Sequence, residues 1–120
     1  MVLSDAEIEK RLPVWHALSE VFLDTKLVDG DYAEIAAALR NSAYSHGTLR
    51  QILEEEVASA FVGNLLDVAG EWTSWTEEEV REIMLRSLRQ GRRVPPMWWL
   101  KKRMYQRYVR DQWAKIGSLL

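Results

Sequence analysis

Thr76-Glu77-Glu78-Glu79-Val80-Arg81-Glu82-Ile83-Met84-Leu85-Arg86-Ser87-Leu88-Arg89-Gln90-Gly91 holds a whole helix with both of its ends. Thr76 and Glu79 have the spacing of a capping box, in which a hydroxyl and a carboxylate each accept an otherwise unpaired amide. Val80, Ile83, Met84, Ser87 and Leu88 then recur at helical spacing and give one apolar face. Acids crowd the first turn and arginines the last, so both ends complement the helix dipole. Gly91 is expected to close the helix.

The same grammar extends outward in both directions. Ser4-Asp5-Ala6-Glu7 is a second capping box. The helix behind it turns Ile8, Leu12, Trp15, Ser19 and Phe22 to one side, widened by Val14, Leu18 and Val21. Pro13 removes one backbone donor, so a kink or a restart is expected there, with the helix ending near Asp24-Thr25. Asp29-Gly30-Asp31 makes a turn, and Tyr32, Ile35, Ala36 and Leu39 mark a short second helix. Asn41 to Tyr44 reads as a loop, and Ser45 caps a third helix carrying Leu49, Ile52, Leu53 and Val57. That pattern continues through Phe61, Leu65, Leu66 and Ala69 with a bend expected near Ser59 or Gly63, and Gly70 ends it. Pro95-Pro96 makes a stiff break before a last helix over about residues 97–116. No segment alternates as a strand. The fold class is all-α: a compact single-domain bundle of five or six helices spanning 1–120.

Composition agrees with one packed domain. Of 120 residues, 48% are apolar and none is cysteine, so disulfides and thiolate metal sites are ruled out. Met1 to Asp5 has no basic stretch followed by an apolar run, and no segment approaches the ~20 apolar residues of a spanning helix. A soluble cytoplasmic protein without membrane contact is expected.

Charge is divided sharply. Residues 1–80 carry 16 Asp or Glu and 5 Lys or Arg, a net of −11; residues 81–120 carry 11 Lys or Arg and 2 acids, a net of +9. Asymmetry of this kind concerns how a protein meets a partner or how its own halves meet. In the last helix, Leu100, Met104, Tyr105, Tyr108, Val109 and Ile116 share one arc. Trp99, Arg103, Gln106, Arg107 and Arg110 share the opposite one. Such a stripe suits a protein partner, nucleic-acid phosphates and bases, or simply acids elsewhere in the same molecule. Arg92 and Arg93 precede it, but Lys101, Lys102 and Lys115 interrupt the apolar arc and disfavour a membrane surface.

Arg11 falls among Trp15, Leu18 and Phe22 on an apolar face, where an unpaired charge is very costly. A structural ion pair is expected, with Glu71 the first candidate and Asp24 and Glu56 the others. His16 and Glu20 stand four apart without a third metal ligand nearby. His46 sits in a first helical turn. The serines lie in no nucleophile motif, Glu54-Glu55-Glu56 and Glu77-Glu78-Glu79 splay around their helices, and no phosphate loop appears. No cofactor, metal or catalytic set is indicated.

Arg11-Leu12-Pro13-Val14-Trp15, Ala17-Leu18-Ser19, Phe22-Leu23-Asp24-Thr25, Glu56-Val57-Ala58, Asn64-Leu65-Leu66 and Ala69-Gly70-Glu71-Trp72 together resemble a family of small bacterial all-α proteins without a settled activity. The resemblance covers about residues 4–85 and departs at Ala43 and Ser59, where the family tends to have proline, and at Ser74-Trp75, where it tends to have Gly-Phe. It implies a small, bacterial, cytosolic protein and supplies no catalytic residues. The basic C-terminal third lies outside it.

The leading expectation is therefore a non-catalytic protein-interaction module. Its sharpest version is an immunity-type protein that blocks a toxin or effector through Asp29, Asp31, Glu54 and Glu55, which mimic nucleic-acid charge. An adaptor, or a homodimer pairing acidic with basic halves, is the plainer form. A nucleic-acid-associated regulator using Trp99, Arg103, Arg107 and Arg110 is the alternative. A hydrolase or transferase would require a convergent polar pocket around His16, Glu20 or Glu71.

Overall fold

The helix that begins after Thr76 has the start its sequence specifies. Thr76 N–H donates to Glu79 Oε1 at 3.0 Å, and Glu79 N–H to Thr76 Oγ1 at 3.1 Å. In the computed structural model the described residues are 3–23, 26–66, 70–90 and 98–120, and side chains are described within them except at 65, 66, 90, 98–102 and 104. The helices are α1 (Asp5–Ser19), α2 (Asp29–Arg40), α3 (His46–Gln51), α4 (Ala58–Leu66), α5 (Glu77–Gln90) and α6 (Trp98–Gly117). The described residues form no strand. The radius of gyration is 13.6 Å, close to the ~14 Å of a compact chain of this length. The fold is an all-α single domain.

α1 is the central rod. It packs against α2, α5 and the segment between α3 and α4, and it buries Leu12, Val14, Trp15, Leu18 and Ser19. It runs unbroken through Pro13. The proline's missing donor concerns the carbonyl of Glu9, and both residues are exposed, so water can serve that oxygen. The regular helix stops at Ser19 and tightens into a 3₁₀ turn over Glu20–Phe22, with Leu23 already extended. The expected end at Asp24-Thr25 lies outside the described residues, as do Gly91, Arg92, Arg93 and Pro95-Pro96.

Ser4 caps α1 as expected, accepting from Glu7 N–H at 3.2 Å. The Glu7 carboxylate, however, is drawn to Arg11 and Tyr44. Ser45 caps α3 through Thr48 N–H at 3.2 Å.

α3 and α4 are one rod over residues 46–66, joined by a π-helical segment, Ile52–Val57. Ser59 and Gly63, where a bend is expected, lie inside regular α4, and the departure from α geometry comes before them. Through it Ile52, Leu53 and Val57 stay buried, so the wide turn keeps the apolar side of the rod on the core.

α6 packs on α2 and lays Tyr105, Val109, Gln112 and Ile116 inward. Tyr32 Oη donates to Gln112 Oε1 at 2.6 Å, Tyr108 Oη to the Val21 carbonyl at 2.5 Å, and Arg40 Nη1 to the Leu119 carbonyl at 2.6 Å. The basic helix is therefore built into the core by one face. Among the described residues no helix is long and apolar enough to cross a membrane.

Candidate functional site

Arg11 reaches across α1 to the π segment. Its Nη1 donates to Glu56 Oε2, its Nε donates to Glu7 Oε1 at 2.8 Å, and Trp15 Nε1 donates to the other Glu56 oxygen at 2.9 Å. Burial opposes the guanidinium charge, but the hydrogen bonds to Glu7 and Glu56 outweigh it and hold Arg11 above its ordinary value. The hydrogen bond from Arg11, followed by that from Tyr44, holds the Glu7 carboxyl below the usual carboxylate range. Burial, and then its bond to Glu7, pushes the Tyr44 phenol up. Lys10 Nζ lies 4.8 Å from the centre of the same ring.

The partner is thus Glu56, the third of the sequence candidates, and not Glu71. Glu71 is exposed, and its backbone is what the fold uses. Its N–H donates to Asn64 Oδ1 at 2.6 Å, and its carbonyl accepts from Asn64 Nδ2 at 2.9 Å. Asp24 lies outside the described residues.

The same asparagine donates to the Phe22 carbonyl at 2.8 Å and so ties the loop after α4 to the end of the first helical rod. His16 Nε2 meets the Trp75 carbonyl at 2.7 Å. A carbonyl only accepts, so Nε2 carries the proton. Ser74 Oγ donates to Glu20 Oε2 at 3.0 Å. Trp75 is buried edge-on against Phe61, with ring centroids 4.8 Å apart. In the middle of this pinned loop Trp72 is 69% exposed.

Beside the loop is an open groove of about 350 Å³ between α1, α2 and the start of α5. Glu20, Asp31, Glu34 and Glu77 line it with His16 and Ser74; Ala17, Ile35 and Ala38 make its apolar part, and no lysine or arginine lines it. This is the polar pocket around His16 and Glu20 that sequence reasoning set as the mark of an enzyme. Its contacts form no serine–histidine pair: the Ser74 hydroxyl donates to the Glu20 carboxylate, the His16 proton goes to backbone, and no hydrogen bond links Ser74 to His16. Among the described residues no group of three His, Cys, Asp or Glu can hold a metal. Four carboxylates around an apolar strip suit a cationic side chain.

Of the acids expected at an interface, Asp31 lines the groove, its carboxylate also accepting from Val28 N–H at 2.9 Å. Asp29 is exposed one residue upstream of Gly30 on the first turn of α2. Glu54 and Glu55 do not line the groove. They are exposed on the π segment and engaged locally, by Arg50 at 2.9 Å and by Gln51 at 3.2 Å. Glu20 was named beside His16, but Glu34 and Glu77 were not read as members of the same site. Glu20 at i+4 from His16 and Glu34 at i+3 from Asp31 were the available signals.

Arg103, Gln106, Arg107 and Arg110 are exposed together on α6, opposite its buried face. None of the three arginines forms an ion pair among the described residues, so they do not balance acids of their own chain there. Trp99 belongs to α6, and its side chain lies outside the described ones.

No curated protein and no solved structure matches this chain. A family match spans residues 9–119 and takes in α6, the basic third that the resemblance over 4–85 left aside. With that coverage the chain belongs to the DUF7079 family, a domain of unknown function.

Proposed function

We propose that this domain is a non-catalytic protein-interaction module whose acidic groove docks a basic partner protein. One observation carries the reading: every Asp, Glu, Lys or Arg lining the groove is an acid, and an exposed tryptophan stands on the pinned loop that supplies Ser74 to it. Tryptophan is enriched among residues that dominate binding energy, and a side chain on a fixed loop loses little freedom when it docks. The aligned carboxylates also speed encounter with a basic surface. In its sharpest form the partner is a toxin or effector in a bacterial cytosol, and the acids cover the basic cleft with which it grips its substrate.

The test is capture from the native cell with the wild-type domain and with Glu20→Gln, Asp31→Asn, Glu34→Gln, Glu77→Gln combined. These changes preserve shape and the acceptors used by Ser74 and Val28. A basic protein retained by the wild type and lost by the neutralised variant is expected. Identical capture by both would remove the groove from the interface.

A further inference from the structure

We propose that the exposed face of α6 is a second binding surface, for the phosphate backbone of duplex DNA. The proposal is separate from the acidic groove and survives or fails without it.

The arginines of the described residues fall into two groups. Arg11, Arg40, Arg50 and Arg81 each hold an acceptor: carboxylates for three of them and the Leu119 carbonyl for Arg40. Arg86, Arg89, Arg103, Arg107 and Arg110 hold none among the described residues. Those with a partner lie before residue 82 and those without one after it. Arg103, Arg107 and Arg110 stand at i, i+4 and i+7, which aligns them within one narrow stripe. At 1.5 Å per residue the stripe is ~10 Å long. Successive phosphates of one strand rise 3.4 Å along the axis but stand farther apart along the winding backbone, so the long arginine stems are what let each of the three reach a phosphate of its own. Arginine donates in pairs to phosphate oxygens and keeps its charge at every working pH.

The other classes of partner fit less well. An interfacial membrane helix needs an apolar face to insert, and the apolar face of α6 is spent on Tyr105, Val109 and Ile116 in the core. An acidic protein surface is the nearest competitor, and the experiment below separates it from DNA. A straight rigid row is better matched to a rigid duplex than to a flexible single strand. Asp111, the one acid on α6, is exposed beside the stripe and forms no ion pair with Arg107.

The experiment is fluorescence anisotropy of a labelled 20-base-pair DNA duplex against the intact protein, starting at 20 mM salt. Three neutralised phosphates predict a slope of about −2.7 in log K against log salt, or about 500-fold weaker binding per tenfold rise in salt. Arg103→Ala, Arg107→Ala, Arg110→Ala combined should weaken binding at least tenfold and flatten that slope. Circular dichroism should be unchanged, because the buried face is untouched. The matching triple lysine variant should retain the slope, and neutralising the acidic groove should not weaken binding. No binding at 20 mM salt overturns the proposal, as does binding that the triple alanine variant retains. So does equal or tighter binding of single-stranded DNA, duplex RNA or a polyglutamate peptide.

Discussion

Arg11 of α1 and Glu56 of the π segment, 45 positions apart in the chain, form an ion pair whose side chains are only 15% and 12% exposed. Glu56 also takes the Trp15 indole proton, and Glu7 takes a second guanidinium proton, so the charges are held by a network. Removing one partner leaves the other poorly solvated and unpaired. Arg11→Ala and Glu56→Ala should each cost on the order of 2–4 kcal/mol, lowering Tm by several degrees or more. The double variant should cost clearly less than the sum of the two. Urea unfolding of the four proteins decides this, and strict additivity would mean that the pair is not coupled.

Acid should act through Glu7. Its carboxyl is held below the usual range chiefly by the hydrogen bond from Arg11, so its stabilising effect is present above ~4.3 and lost as pH falls through its lower folded value. Glu7→Gln should be less stable than wild type at pH 7, with the gap closing below pH ~4. Urea midpoints at pH 7, 5 and 3 measure it; a gap unchanged at pH 3 would remove Glu7 from the acid response.

Alkali should act through Tyr108. Burial is the main cause that pushes its phenol up to about 12, and its hydroxyl donates to the Val21 carbonyl. The unfolded chain ionises this group near ~10. The stabilising effect is therefore present below pH ~10 and lost as pH rises from there through 12. Absorbance titration should show a phenol ionising near 12 that is missing in Tyr108→Phe, and the variant should lose less stability between pH 9 and 11 than wild type does.

Much of this architecture is legible in the sequence because it is local. The Thr76–Glu79 box, the Ser45 cap and the two faces of α6 each follow from spacing within a turn or two. Tyr105, Val109 and Ile116 are buried where periodicity puts them, and Arg103, Arg107 and Arg110 are exposed. What is not legible depends on register and distance. A straight α-helical wheel does not anticipate the wide turn at Ile52–Val57, within which Glu56 meets Arg11 while Glu54 and Glu55 stay exposed. The groove escapes for a related reason: Glu20, Asp31, Glu34 and Glu77 come from three separate segments, and no one of them stands out in its own surroundings. Asn64, read only as part of a familiar string, proves to be the clamp of the loop that carries Trp72.

Asn64→Asp should therefore be far more damaging than its near-identical shape suggests. The side chain's donors serve the Phe22 and Glu71 carbonyls, and a carboxylate would set a negative charge against both oxygens. A loss of roughly 2–4 kcal/mol is expected from the two broken bonds and the unsatisfied acceptors. Asn64→Ala should cost less than Asn64→Asp at pH 7. Thermal melts of both variants against wild type check this; Tm values equal to that of wild type would show that the clamp carries little energy, and equal values for the two variants would remove the charge effect.

The association rate of the domain with its captured basic partner, followed by stopped flow from 20 to 500 mM salt, bears most directly on the acidic groove as a docking surface. Steering by the four carboxylates predicts a rate that falls steeply with ionic strength in the wild type. The Glu20→Gln, Asp31→Asn, Glu34→Gln, Glu77→Gln variant should be slower at low salt and nearly independent of ionic strength. Matching rates and matching salt dependence in the two proteins would contradict the account.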